Sequence, residues 1–292
     1  MRGIVLAGGS GNRLHPMTLA VPKELLPVGD KPMIYYPLSV LMLAGIRDIL
    51  LIGAPAELPR IRHLLGDGGE LGLRIDYRVQ DEPGGIAEAL VLGADHIGED
   101  SVALIHGDHI FHGQRFYSVL AEHSAEVRGC VLFGSPVGEP GRCGAAEVDE
   151  HGRLLSVGAQ PVSRRGRRAV TGLGFYDNEV VDLVKNLPPA GPGEPDLTQV
   201  HRAYLRREQA KLVDLGRGFA WLETETPESL LQAGHYVRTL EARQGARIAC
   251  LEEVALRMGF ISAADCHRLG ERLARSPYGE YVMAIAAELG PV

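Results

Sequence analysis

Tryptophan occurs once in 292 residues, cysteine four times, and aromatic residues make up only 5 % of the chain. The cysteines, Cys130, Cys143, Cys250 and Cys266, form no C-x-x-C pair, which argues against a zinc ribbon or disulfide scaffold and for a reducing compartment. An excess of positive charge is also missing. Basic side chains number 30 against 37 acidic ones, a formal charge of −7, so no overall field draws the chain to nucleic acid or anionic lipid. The longest apolar stretch, Met33–Ile46, runs 14 residues and contains Pro37, too short and too broken to span a bilayer. From Met1 the chain passes straight into Ile4-Val5-Leu6-Ala7, too short for a signal peptide's apolar region. The expectation is a cytoplasmic protein with no nucleic-acid or membrane partner.

Hydrophobic residues at 45 % and charged residues at 23 % are the balance of an ordinary globular protein. The length suits either two domains or one large α/β domain. In the first half, buried-strand patterns (3–7, 48–53, 75–79, 101–106) alternate with helical ones (32–44, 57–65, 86–94). That order predicts right-handed crossovers, a mostly parallel doubly wound sheet and helices on both faces. Beyond residue 128 short apolar runs at 129–133, 145–148, 154–157 and 170–176 predict a small mixed or antiparallel β extension. A Pro/Gly loop follows at 188–195, and from Pro227 the pattern is almost wholly helical. The predicted division is a core of 1–227 with a helical C-terminal segment of 228–292.

The first strand runs into Leu6-Ala7-Gly8-Gly9-Ser10-Gly11-Asn12-Arg13-Leu14. A glycine-rich turn there lets backbone N–H groups approach a phosphate chain, with Arg13 and Lys23 as neutralising cations. Taken alone, the glycines read equally as a tight turn with two surface cations. Leu14 breaks the G-x-G-x-x-G dinucleotide fingerprint, and no Gly-Lys-Ser/Thr completes a P-loop.

With Pro22-Lys23-Glu24-Leu25-Leu26-Pro27 and the run Lys31 to Arg47, the segment resembles the sugar-phosphate nucleotidyltransferase family, most nearly its glucose-1-phosphate thymidylyltransferases. Gln80 to Gly85, Gly107-Asp108, Val170 to Leu173 and Gly216 to Leu222 extend the likeness. The resemblance implies a three-layer Rossmann-like fold. It implies nucleotidyl transfer from a nucleoside triphosphate, dTTP first, to a sugar 1-phosphate, with Mg²⁺ bound and pyrophosphate released. It also implies a homo-oligomer, a tetramer, whose interfaces the apolar helix Tyr36 to Ala44 and the tail would supply. By the family pattern Arg13, Lys23 and Asp108 are the catalytic set. Gly8, Gly11, Arg13, Lys23, Glu24, Gln80, Gly85 and Asp108 surround the nucleotide. Gly144, Ala159, Gln160 and Val170 line the acceptor pocket, and Asp108 with Glu223 holds the metal.

Several positions depart from that pattern, and they carry chemistry. Glu223 replaces an Asp, and an extra methylene moves the oxygens by roughly an ångström, which can cost about a hundredfold in rate. Glu225 replaces a Gly. Ala159-Gln160-Pro161 stands for Glu-Lys-Pro, removing a carboxylate for sugar hydroxyls and a cation for the sugar phosphate. Glu24 and Glu88 replace Gln, Gln199 an Asp, Gly174 a Tyr, and His109 the Asn after Asp108. His106, His109 and His112 flank Asp108 and could ligate a transition metal. On a strand end and loop, however, that spacing does not put all three on one face, so separate polar side chains are expected. Arg164, Arg165, Arg167 and Arg168 predict a solvated hairpin turn or, alternatively, a replacement phosphate grip. Three functions stay open: an enzyme with an acceptor altered from glucose 1-phosphate, a non-catalytic relative that binds a nucleotide or nucleotide sugar, and a recruited fold with different chemistry.

Overall fold

The first strand, β1 (Arg2–Ala7), is apolar toward both faces: Ile4 packs into one core and Val5 into the other, both fully buried, as a central strand of a two-sided sheet requires. The computed structural model describes residues 1–9, 11–81, 85–136, 144–158, 167–186 and 197–290. The further strands are β2 (Pro27–Val28), β3 (Lys31–Pro32), β4 (Asp48–Gly53), β5 (Arg74–Val79), β6 (Val102–His106) and β7 (His109–His112). They continue as β8 (Cys130–Ser135), β9 (Ala145–Val148), β10 (Leu154–Gly158), β11 (Arg167–Tyr176), β12 (Ala210–Asp214) and β13 (Ala220–Glu223).

The main sheet runs β10-β9-β11-β6-β1-β4-β5, with β8 joining β11 to β12. β1 is parallel to β4 and β6, β4 to β5, and β8 to β12. β11 is antiparallel to β6, β8 and β9, and β9 pairs antiparallel with β10. This is the expected α/β fold with its β extension. Leu50 and Leu51 on β4 divide between the two cores as Ile4 and Val5 do. Helices Tyr35–Leu43 and Leu58–Leu65 cover one face, and Gly85–Leu92, Glu179–Asn186 and Thr198–Arg206 the other.

One expectation is corrected. Tyr36, Leu38, Leu41 and Met42 are at most 1 % exposed, so the helix Tyr35–Leu43 is interior and cannot furnish a subunit interface. An all-apolar helix reads the same way in either setting. It also starts later than expected because Lys31–Pro32 is a strand paired with Pro27–Val28. Pro37 is tolerated in its first turn, where the N–H has no intrahelical acceptor.

The C-terminal helices are Pro227–Gln244, Leu251–Arg257, Ala263–Arg272 and Pro277–Leu289. The first begins at a capping box formed by Thr226 and Ser229, which satisfies its orphan N–H groups. Its Ala233 and Val237 share a core with Leu14, Val28 and Tyr36, so N- and C-terminal segments pack on each other. Among the described residues no helix is long and apolar enough to cross a membrane. The expected Pro/Gly loop lies outside the described residues.

Candidate active site

Strand order reverses at β1, which has β4 on one side and β6 on the other. Open α/β sheets place ligands at the carboxyl ends of strands flanking such a reversal. Gly8 follows β1, Gln80 follows β5, and Asp108 follows β6. Gly11 adopts a left-handed backbone conformation, φ 56°, which glycine alone takes without strain. Thr18 Oγ1 donates to its carbonyl at 2.8 Å. The turn is anchored by Leu14, 1 % exposed, while Arg13 beside it reaches out and pairs with Glu225.

Lys23 stands on a short 3-10 turn, Lys23–Leu25. Its Nζ lies 2.8 Å from Asp108 Oδ2 and 3.8 Å from Glu24 Oε1. Burial works against both charges of the Lys23–Asp108 pair. The attraction outweighs it, so Lys23 is held above its ordinary value and Asp108 well below the carboxylate range, the imidazoles of His109 and His106 adding to the latter. Asp108 is therefore ionised. Among the described residues neither carboxylate oxygen of Glu24 has a hydrogen-bond partner, and the side chain is fully buried; burial pushes it up to about 7.

β7 was not expected, and it organises the site. It pairs antiparallel with β13, placing Glu223 opposite His109 and Trp221 opposite Phe111. Glu223 is thereby delivered next to Asp108 from over a hundred residues away in sequence. His109 Nε2 is 3.8 Å from Asp108 Oδ1 and 3.7 Å from Glu223 Oε1, and Trp221 Nε1 donates to His109 Nδ1 at 3.2 Å. Burial pushes His109 down to about 3, so its ring is neutral. His106 stacks on it with centroids 4.7 Å apart. The pair lies against Gly172, where a Cβ would come within 2.3 Å of His109 Nδ1. His112 turns away and meets the Tyr236 hydroxyl at 3.0 Å. Only two of the three histidines therefore converge on Asp108.

The nucleotidyl transferase family matches residues 2–239 of this chain. The glucose-1-phosphate thymidylyltransferase of Neisseria meningitidis is 47 % identical over 285 residues, covering 98 % of this chain and 99 % of that protein. That of Mycobacterium tuberculosis is 46 % identical over 285 residues, with 98 % and 99 % covered. A Bacillus anthracis structure, provisionally assigned as a glucose-1-phosphate thymidylyltransferase and bound to sucrose, superposes with a TM-score of 0.74. It is 34 % identical and covers 82 % of this chain and 95 % of that one. The chain belongs to the nucleotidyl transferase family.

In this nucleotidyl transferase Gln80 Nε2 donates to the Gly85 carbonyl at 3.3 Å and to the Glu88 carboxylate. Both partners can only accept, so the amide's orientation is decided and its Oε1 is left toward Gly8, 3.8 Å from where a Cβ would stand. Gly144 and Val170 are joined directly, Val170 N donating to Gly144 O at 3.0 Å. Ala159 and Gln160 lie outside the described residues, as do Arg164 and Arg165. Arg168 is paired with Asp214 at 2.6 Å. Reading the sequence missed the contacts of Trp221 with His109 and of Glu225 with Arg13, because each joins residues more than a hundred positions apart.

Proposed function

We propose that this enzyme joins a nucleoside triphosphate, dTTP first, to a sugar 1-phosphate or related acceptor phosphate that is altered from glucose 1-phosphate. An acceptor phosphate oxygen bonds to the α-phosphorus while the bond from that phosphorus to the bridging oxygen breaks, and pyrophosphate leaves. Such chemistry asks the protein mainly for positioning and charge. The observation that carries the reading is the convergence of Lys23, ionised Asp108 and Glu223 beside the glycine-rich loop, where Arg13 also reaches. The relatives' printed names support a thymidylyl donor and a sugar 1-phosphate acceptor.

Asp108 and Glu223 fit a divalent cation: one is anionic and buried, and both place an oxygen within 3.8 Å of the same ring nitrogen. Mg²⁺ bound there would supply charge to the phosphate oxygens. Arg13 and Lys23 neutralise the triphosphate, Gly8 and Gly11 bring backbone close to it, and Gln80 offers an acceptor to the base. Glu24, behind Lys23, sets that cation's field. Gly144, Val170, Ala159 and Gln160 are assigned to the acceptor, and the neutral sequence Ala159-Gln160 is what supports an acceptor other than glucose 1-phosphate. We place this chemistry in residues 1–227, with 228–292 as a packing and assembly segment of a homo-oligomer, a tetramer, in the cytoplasm. Exposed Leu231 and Leu273 in the C-terminal segment support that role.

A second reading, a nucleotide-binding relative without catalysis, is favoured by one observation. Glu225 occupies the Arg13 guanidinium. Pyrophosphate release from each nucleoside triphosphate, against a panel of sugar and cyclitol phosphates, separates the two.

A further inference from the structure

The ligand atoms of His106, Asp108 and His109 lie within 4.8 Å of one another, close enough that the three could hold a metal ion. His109 Nε2 is 3.8 and 3.7 Å from carboxylate oxygens of Asp108 and Glu223. Two ligands on a tetrahedral ion with bonds of about 2.1 Å stand about 3.4 Å apart, so a slight contraction would complete such a site. The other ring nitrogen argues otherwise. Trp221 Nε1 is 3.2 Å from His109 Nδ1, and an indole nitrogen can only donate. His109 Nδ1 must therefore accept. In a neutral ring the proton then sits on Nε2, and an N–H rather than a lone pair faces Asp108 and Glu223. A ligating histidine shows the reverse arrangement, donating its second N–H to an acceptor.

We propose that Trp221 is a positioning residue that locks His109 in the non-ligating tautomer. His109 then presents an N–H rather than a lone pair toward the two carboxylates and is withheld from the ion, which Asp108 and Glu223 meet with oxygens suited to a hard divalent cation. Two rings that could ligate softer ions, those of His106 and His109, are present, and one indole hydrogen bond withholds that of His109. Gly172 makes the lock possible by leaving room for the His109 ring, since a Cβ there would strike Nδ1 at 2.3 Å. The two departures at positions 109 and 223 also face each other across β7 and β13, with His109 Nε2 3.7 Å from Glu223 Oε1. The inference rests on the reading above that Asp108 and Glu223 hold the cation.

The test adds Mn²⁺ or Co²⁺ alone to the full chain and follows Mn²⁺ binding by electron paramagnetic resonance and Co²⁺ by its visible spectrum. Wild type and His109→Asn should give the same Co²⁺ spectrum and affinities within about threefold, since no ligand is lost. Trp221→Phe removes the donor and lets the tautomer change, so Co²⁺ should tighten about tenfold or more relative to Mn²⁺, the scale of outer-shell effects. Its visible band should intensify, and the double variant with His109→Asn should reverse both changes. A wild-type Co²⁺ spectrum that His109→Asn alters would overturn the proposal, as would a Trp221→Phe spectrum identical to wild type. Should Trp221→Phe fail to fold, the comparison of wild type with His109→Asn still decides. Binding of neither metal to the wild type would instead refute the underlying metal assignment.

Discussion

Glu225 is ion-paired with Arg13 across the mouth of the glycine-rich loop. The guanidinium proposed to meet a triphosphate already has a carboxylate partner, and that hydrogen bond is the chief reason its pKa is raised above the ordinary arginine value. A nucleotide must displace Glu225 or bind beside it.

Glu225→Gly should therefore tighten dTTP binding. The pair is partly exposed, with side chains 43 % and 23 % accessible, and exposed pairs are worth about 0–1 kcal/mol. The expected gain is roughly two- to fivefold by calorimetry, shrinking at high salt. Unchanged affinity at low salt would mean that Arg13 does not contact the nucleotide.

Glu24 makes stability depend on pH. Its folded value, about 7, lies above its ordinary value of 4.5 because burial disfavours the charge. Between those values the native state holds a proton that the unfolded chain has lost, so stability is present below about pH 4.5 and falls as pH rises toward 7. Glu24→Gln should flatten that decline and raise stability at pH 8 relative to wild type. Urea unfolding at pH 5.5 and 8 would show it; a parallel decline in both proteins would contradict it.

Gly172→Ala should lower both stability and metal affinity. Its Cβ would stand 2.3 Å from His109 Nδ1 and 2.9 Å from His106 Cδ2, and overpacking of this kind costs about 1–3 kcal/mol. Thermal unfolding and Mn²⁺ binding should both weaken, whereas Gly45→Ala, with nothing within 4 Å of its Cβ, should leave Mn²⁺ binding unchanged.

How far the fold could be read from the sequence depended on how local the signal was. β1, β4 and β6 declare themselves through apolar runs closed by glycine or a Gly-Asp turn. The helix Thr198–Arg206 does not, because its outer face is polar and the sequence before it, 188–195, is rich in Pro and Gly. β7 is four residues beginning one residue after Asp108, and its partner β13 lies far downstream, so a period-2 pattern had little length in which to show. The residues proposed to meet the nucleotide could be picked out because they sit at strand ends and in the glycine turn. The contacts of Trp221 with His109 and of Glu225 with Arg13 could not, since each is made only on folding.

Restoring the family pattern separates adaptation from decay. The triple change Ala159→Glu, Gln160→Lys and Glu223→Asp rebuilds a sugar clamp and the shorter metal carboxylate. If the wild type serves another acceptor, the triple variant should lose activity on it and gain dTDP-glucose synthesis. Gain without any wild-type activity to lose would mark an inactive descendant. Glu225→Gly can be added if its charge still opposes the phosphates.

The central claim is most directly tested by following the label from α-³²P dTTP in the presence of Mg²⁺ and a mixture of sugar and cyclitol phosphates. The account predicts that label passes into a nucleotide sugar other than dTDP-glucose, that Asp108→Asn abolishes the transfer, and that glucose 1-phosphate alone is a poor acceptor. Absence of transfer to every acceptor, or transfer to glucose 1-phosphate in preference to all others, would contradict it.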